Sequence, residues 1–285
     1  MRLALIKNFF KTILRGFSQV MLQNNALTGL LFLLGILYNS WAMAIGALIG
    51  VLVSTLSAKL FGYNKEDIKN GLYGFNGVLV GIALVFFFEL NLKSIIILIL
   101  ASVISSFVMK KMSGRALPPY TAPFVISTWV AFAFIIILNL MSLPNNVLAV
   151  ASKLNIISAL SMGLGQVMFQ GSIITGIIFF IALLVNSRRV AIYGLGGSML
   201  GMLRALLLSL PLSMLNIGLF GFNAVLCGIA FADKKKNNFL FAISAVILSV
   251  FITYGMVKLN IITLTAPFVL ASWVVIFFGK RFKKI

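Results

Sequence analysis

The chain has 285 residues, of which 61% are hydrophobic and 9% are charged, and its mean hydropathy is +1.14. A soluble fold of this length cannot bury so much apolar surface, so the composition indicates a protein that crosses a membrane several times. The net charge of +19 does not indicate nucleic-acid binding, because the basic residues stand at the ends of apolar segments and not in one patch. With no histidine, four acidic residues and one cysteine, the sequence predicts neither an enzyme nor a metal site nor a cofactor.

The first segment carries a basic residue every four or five positions among Leu, Ile and Phe. A signal peptide would have a single apolar core after its basic start. The observed spacing instead predicts an amphipathic helix over residues 1–18 that lies on the cytoplasmic face of the membrane.

Ten apolar segments follow, and we interpret them as two sets of five membrane-spanning helices. The first set is predicted near residues 24–38, 41–60, 75–89, 94–110 and 121–140. The second set is predicted near residues 169–186, 189–210, 222–232, 238–257 and 265–279. The polar segment 62–74 is expected to enter the membrane as a short re-entrant helix, as is the stretch before Phe222.

Three motifs occur twice in the same order, which predicts an internal repeat. They are Gln-Val-Met-Leu/Phe-Gln at 19–23 and 166–170, Gly-Leu-Tyr/Phe-Gly-Phe-Asn-Gly/Ala-Val-Leu at 71–79 and 218–226, and Thr-Ala-Pro-Phe at 121–124 and 265–268. The first two pairs are 147 residues apart and the third is 144 apart. We therefore expect transmembrane repeat A over residues 19–142 and repeat B over 143–285, the latter with a basic C-terminal tail.

An odd number of spans in each repeat makes the second repeat enter the membrane from the opposite side. Nineteen basic residues then fall on the cytoplasmic side and three on the other, with Arg204 within a span. This bias predicts an inner-membrane protein with both termini in the cytoplasm. Inverted repeats of this kind place a shared path at their interface, so the fold class is all-α with a pore at the pseudo-two-fold interface.

The repeated motifs supply uncharged candidate pore residues, each with a structural alternative. The two glutamines, Gln19 and Gln166, offer an amide at equivalent positions, although an interfacial glutamine often caps a helix. Each Phe and the Leu four residues later share a helix face, which also suits packing against lipid or another helix. The threonine before each Pro offers a hydroxyl, although the Pro can also simply start a helix. Glycines such as Gly50 and Gly77 are expected to allow close helix packing.

The sequence resembles the urea transporters of bacteria and animals over about residues 15–280. The resemblance rests on Gln19 before the 24–29 stretch Asn-Asn-Ala-Leu-Thr-Gly, on residues 71–77, and on Leu-Thr-Ala-Pro-Phe at 264–268. It departs from many members at Leu22, where they have a Phe, and at Tyr120, where the second copy has a Leu. It implies a homotrimer with one pore in each subunit. The implied pore lining is Gln19, Leu22, Phe75, Leu79, Thr121, Gln166, Phe169, Phe222, Leu226 and Thr265.

The function expected from these observations is a passive, selective urea channel, with urea and membrane lipid as its partners. The alternatives are an ion-coupled secondary carrier, a channel for another small neutral amide, a non-transporting scaffold, and an ammonium or formate channel. A coupled carrier normally keeps an ionisable group within the membrane, and the four acids all stand in or beside polar breaks. The duplicated polar motifs argue against a scaffold, which has no need of them.

Overall fold

The computed structural model describes residues 2–143, 151–233 and 238–282, and every regular element in these ranges is helical. The chain divides into two compact units, unit 1 with residues 1–114 and 119–146 and unit 2 with residues 115–118 and 147–285. The short segment 115–118 belongs to unit 2, where the indole Nε1 of Trp273 donates to the carbonyl oxygen of Pro118 over 2.8 Å. The Lys234–Lys236 run and the last two lysines of the basic tail lie outside the described residues.

Unit 1 contains seven helices in its described part. They are α1 (Arg2–Gln19), α2 (Ala26–Asn39), α3 (Trp41–Leu60), α4 (Lys65–Lys69), α5 (Gly74–Phe88), α6 (Leu92–Met112) and α7 (Ala122–Ile137). The described part of unit 2 also contains seven, and a short 3-10 turn (Gln166–Met168) extends the first of them. They are α8 (Ile156–Gly165), α9 (Ile173–Asn186), α10 (Arg188–Leu207), α11 (Leu212–Asn216), α12 (Phe222–Ala230), α13 (Asn238–Lys258) and α14 (Ala266–Phe282).

The ten predicted spans are all present as helices, and each end lies within four residues of its prediction. Helices α3, α6, α10 and α13 are each long and apolar enough to cross a membrane alone. The prediction of an all-helical membrane protein is therefore confirmed. However, α2, α5, α7, α9 and α12 have only 9 to 16 residues. At about 1.5 Å per residue these helices, like the 17-residue α14, are shorter than the roughly 30 Å apolar layer.

A sharp break separates α8 from α9, whose axes are bent by 74° around the turn at residues 166–172. Together, but not separately, the two parts are long and apolar enough to cross a membrane, as in a broken span or a re-entrant loop. The five-residue helices α4 and α11 occupy the segments in which the sequence predicts re-entrant helices. No side chain of α4 is buried, whereas α11 buries Leu215.

Helix α1 is amphipathic by exposure, with Lys7 and Lys11 exposed and Ile13 and Phe17 buried in unit 1. Its backbone touches that of α2, because a Cβ atom on Gly29 would stand 1.8 Å from the carbonyl oxygen of Leu14. Counting 147 residues back from α8 places its counterpart in the second half of α1. Helix α1 is thus a packed element of unit 1.

Glycines allow α3 and α5 to cross with their backbones in contact. A Cβ on Gly50 would lie 1.9 Å from the carbonyl oxygen of Gly77, and one on Gly81 would lie 2.0 Å from that of Gly46. In unit 2 a Cβ on Gly197 would lie 2.4 Å from the carbonyl oxygen of Ala224. The predicted role of these glycines in close packing is confirmed.

The crossing makes Gly50 intolerant of any side chain. We expect Gly50→Ala to lower the free energy of unfolding by about 1–3 kcal/mol or more, because backbone atoms cannot give way as a flexible side chain can. The matched control is Gly196→Ala on α10, where a Cβ meets nothing within 4 Å. Thermal unfolding of the purified variants checks this, and equal unfolding temperatures for the two would contradict it.

Candidate functional site

The second and third motifs of unit 1 are joined by a buried hydrogen bond. The side-chain oxygen Oδ1 of Asn76, in the first turn of α5, accepts from the backbone N–H of Phe124, in the first turn of α7, over 3.0 Å. Both residues are fully buried. Helix α7 needs this acceptor, because the first N–H groups of a helix have no partner within it and the side chain of Thr121 makes no cap bond.

The same bond recurs in unit 2, where Oδ1 of Asn223 accepts from the backbone N–H of Phe268 over 3.1 Å. Here the amide also donates, from Nδ2 to the carbonyl oxygen of Leu264 over 3.3 Å. In unit 1 the Nδ2 atom of Asn76 is buried and has no hydrogen-bond partner among the described residues. The two units therefore share the acceptor and differ in the donor.

The first motif forms a tight turn at the end of a helix in both units. In unit 1 the N–H of Leu22 donates to Gln19 and that of Gln23 donates to Ser18, the pattern of a Schellman motif. In unit 2 Phe169 and Gln170 donate in the same way to residues 166 and 165. The position that glycine usually fills holds Leu22 (φ 57°) and Phe169 (φ 59°), both left-handed. The αL conformation costs a bulky residue roughly 1–2 kcal/mol, so these turns are strained in both units.

The second glutamine of the first motif stabilises that turn. Nε2 of Gln23 donates to the carbonyl oxygen of Met21 over 2.7 Å, and Ser18 Oγ donates to the carbonyl oxygen of Gln23 over 2.6 Å. Gln170 donates in the same way to Met168. Both glutamines are buried. The role of Gln23 and Gln170 was not predicted from the sequence, although their duplication was the available signal.

The helix that leads into the first motif, α1 or α8, packs on the start of the second motif. A Cβ on Gly71 would lie 2.5 Å from the backbone nitrogen of Gly16, and one on Gly218 would lie 2.4 Å from that of Gly163. Gly71 and Gly218 also have a left-handed backbone conformation, with φ of 77° and 75°. Each unit therefore brings its three motifs together around the start of α5 or α12.

The predicted pore residues occupy equivalent places in the two units. Phe75 and Leu79 lie in the first turns of α5, and Phe222 and Leu226 lie in the first turns of α12, all four buried within their units. Thr121 and Thr265 immediately precede α7 and α14 and are also buried. The pore residues predicted in the first motif are more exposed. Leu22, Gln166 and Phe169 are half-buried, and Gln19 is 9% exposed.

The role of the two asparagines was not predicted from the sequence, where they stand only as members of the second motif. Their partners lie 48 and 45 residues away, so no local pattern indicates the bond. The left-handed residues that precede the two Thr-Ala-Pro-Phe motifs, Tyr120 (φ 46°) and Leu264 (φ 45°), were also missed. Neither residue type favours that conformation, so only the duplication could have indicated them.

The constellation is uncharged in both units and consists of amide, hydroxyl, aromatic and backbone groups. Among the described residues there is no group of three or more His, Cys, Asp or Glu side chains that could hold a metal ion. The four acids lie in α4 (Glu66 and Asp67) or directly after α5 and α12 (Glu89 and Asp233). Such a site can exchange hydrogen bonds with a neutral polar solute.

The asparagine bonds predict a difference between the two units. Asn223→Leu removes an acceptor and a donor, whereas Asn76→Leu removes an acceptor only. Since each buried group left unpaired costs about 1–3 kcal/mol, we expect both variants to unfold at lower temperature and Asn223→Leu to lose more. Thermal unfolding of the purified proteins measures this, with Thr253→Val on α13, a buried polar residue outside the motifs, as the control. The reverse order would contradict the assignment.

Comparison with known proteins agrees with this arrangement. The sequence model of the family described as urea transporter matches residues 10–280. Urea transporter 1 of Rattus norvegicus and that of Mus musculus are each 31% identical over 246 residues, which cover 79% of this chain and 63% of the rodent protein. Urea transporter 1 of Ovis aries is 28% identical over 289 residues, covering 93% of this chain and 75% of the sheep protein. The chain thus spans slightly less than two thirds of the rodent proteins' length. Since the match takes in both copies of the three motifs, the chain belongs to the urea transporter family.

Proposed function

We propose that this protein is a passive channel that conducts urea down its concentration gradient. The observation that carries the proposal is the duplicated, uncharged constellation of buried hydroxyl, amide and aromatic groups at the start of α5 and α12. Membership of the urea transporter family, and the name of the rodent and sheep relatives, support urea as the solute.

Urea is flat and neutral, and its four N–H groups must exchange water for protein acceptors on entering a membrane. Leaving them unpaired would cost several kcal/mol, so a pore for urea needs a row of oxygen atoms. The glutamines Gln19 and Gln166 and the hydroxyls of Thr121 and Thr265 supply such oxygens. The Phe and Leu side chains of α5 and α12 supply apolar walls that offer a hydrated ion no compensation for its lost water.

The rival proposal, an ion-coupled carrier, needs an ionisable group or an ion cage at depth in the membrane. Glu66, Glu89 and Asp233 are exposed and Asp67 is half-buried; they lie in the short helix α4 or beyond the ends of α5 and α12. This placement favours passive conduction. A channel for another small neutral amide uses the same chemistry, and selectivity among such solutes is an outcome of the experiment below.

We further propose a homotrimer in the inner membrane with both termini in the cytoplasm. The distribution of basic residues supports the orientation. Large exposed hydrophobic side chains support extensive contact with lipid or with other subunits; those on α2 and α6 include Leu30, Leu34, Leu37, Ile96, Leu100 and Phe107.

Proteoliposomes test the function directly. The unmodified protein should conduct urea without any sodium or proton gradient, and the double variant Thr121→Val, Thr265→Val should conduct at least about tenfold more slowly, because two acceptors are lost. Stopped-flow light scattering measures the flux of urea, acetamide and water.

The control is Thr253→Val on α13, whose buried hydroxyl donates to Ser249 of its own helix and should not affect conduction. Strict dependence on an ion gradient, or an unchanged urea flux in the double variant, would overturn the proposal.

A further inference from the structure

The two glutamines that head the first motif differ in what holds them. In unit 1, Nε2 of Gln19 donates to the backbone carbonyl oxygen of Asn70 over 2.9 Å. Beside this bond, Nδ2 of Asn24 donates to the side-chain Oδ1 of Asn70 over 3.1 Å. In unit 2 the positions equivalent to Asn24 and Asn70 are Gly171 and Ile217, which have no polar side chain. Only the first glutamine therefore has this support.

The bond to Asn70 fixes the direction of the Gln19 amide. A carbonyl oxygen can only accept, so the NH2 group must face Asn70 and Oε1 must lie on the opposite edge of the amide. No described residue donates to that Oε1. Gln19 is only 9% exposed, which limits its alternative rotamers. Unit 1 thus presents a glutamine oxygen of fixed orientation with its acceptor capacity open.

The Gln166 amide lacks such a constraint. Its side chain makes no hydrogen bond with the described part of the chain and is half-buried. Its Nε2 atom lies 3.8 Å from the point where a Cβ would stand on Gly171. In unit 1 the equivalent position holds Asn24, whose side chain bonds to that of Asn70. Unit 2 therefore leaves room for its glutamine amide to turn.

The glutamines do not differ because one unit has a more mobile turn. The turn at the end of the short helix, α4 in unit 1 and α11 in unit 2, is held by hydrogen bonds in both units. In unit 1, Arg15 Nη1 donates to the carbonyl oxygen of Lys69 over 3.1 Å. In unit 2, Ser158 Oγ donates to the carbonyl oxygen of Asn216 over 2.9 Å, and the Asn216 amide donates to Lys153. What unit 2 lacks is the pair of asparagine side chains.

We propose that Asn24 and Asn70 are positioning residues that hold Gln19 as a fixed acceptor for an N–H group of urea, whereas Gln166 is adaptable and offers either its oxygen or its NH2 group. This inference rests on the proposed function. It makes the first glutamine select for solutes rich in N–H donors. Acetamide, with half the N–H groups of urea, is disfavoured there and tolerated at Gln166.

The experiment gives unit 1 the residues of unit 2 by the double substitution Asn24→Gly, Asn70→Ile. Urea and acetamide fluxes into proteoliposomes are measured over a range of concentrations, so that half-saturation and maximal rate are separated. The variant keeps the backbone carbonyl of residue 70 but loses the side-chain bond between Asn24 and Asn70 that holds this carbonyl in place. We therefore expect the half-saturating urea concentration to rise about 3- to 10-fold, with the maximal rate nearly kept. The preference for urea over acetamide should fall by a similar factor.

A single variant and a double-mutant cycle with Gln19→Ala test whether the two asparagines act through Gln19. Asn24 is exposed, so Asn24→Gly alone should leave the fold intact and produce part of the effect. In a Gln19→Ala background the two asparagine substitutions should have no further effect on selectivity, because they act through Gln19. A lower unfolding temperature with unchanged half-saturation and selectivity would show a purely structural role and overturn the inference. Urea flux that is absent from the unmodified protein would instead overturn the proposed function itself.

Discussion

Each unit depends on one buried hydrogen bond between an asparagine side chain and the backbone of a distant helix start. Helices α7 and α14 begin with Ala-Pro-Phe, and their first N–H groups have no acceptor within the helix. In a membrane no water replaces that acceptor, so an unpaired N–H would cost several kcal/mol. Asn76 and Asn223 supply it. Because each asparagine directly follows the Phe of a proposed apolar wall, the same bond sets the position of that wall relative to the threonine before the helix.

The sequence predicted the helices well because hydrophobicity alone decides where apolar segments stand in a membrane protein. It also predicted the repeat, because the three motifs are nearly identical. It predicted that α2, α5 and α12 are short but not that α7 and α9 are, since an apolar segment has the same composition whether or not it continues as a helix. Nor did it predict the bond between Asn76 and Phe124, because a cap supplied from 48 residues away leaves no local signal. The hydrophobic pattern therefore predicted the helices, and only the structure showed the hydrogen bonds that join them.

The strained turns at Leu22 and Phe169 show what the duplicated sequence preserves. A left-handed Leu or Phe is unfavourable alone, yet both units hold one at the same place. The surrounding bonds explain how it persists: a buried glutamine, Gln23 or Gln170, donates back to the backbone two residues earlier in each case. The turn ends a helix abruptly and leaves a half-buried side chain beside the first glutamine. Strain retained in both copies supports the proposed place of Leu22 and Phe169 in the pore lining.

Side chains have diverged where the backbone has not, and the divergence has local costs. In unit 2 the hydroxyl of Ser272 lies 4.0 Å from the sulfur of Cys227, within range of a weak hydrogen bond. The equivalent of that cysteine in unit 1 is Val80, and the hydroxyls of Ser102 and Thr128 are buried there without a partner among the described residues. The main-chain bonds that define each site tolerate this loss because none of them involves these side chains. Two sites with the same backbone can therefore present different polar side chains. The proposed difference between Gln19 and Gln166 is of this kind.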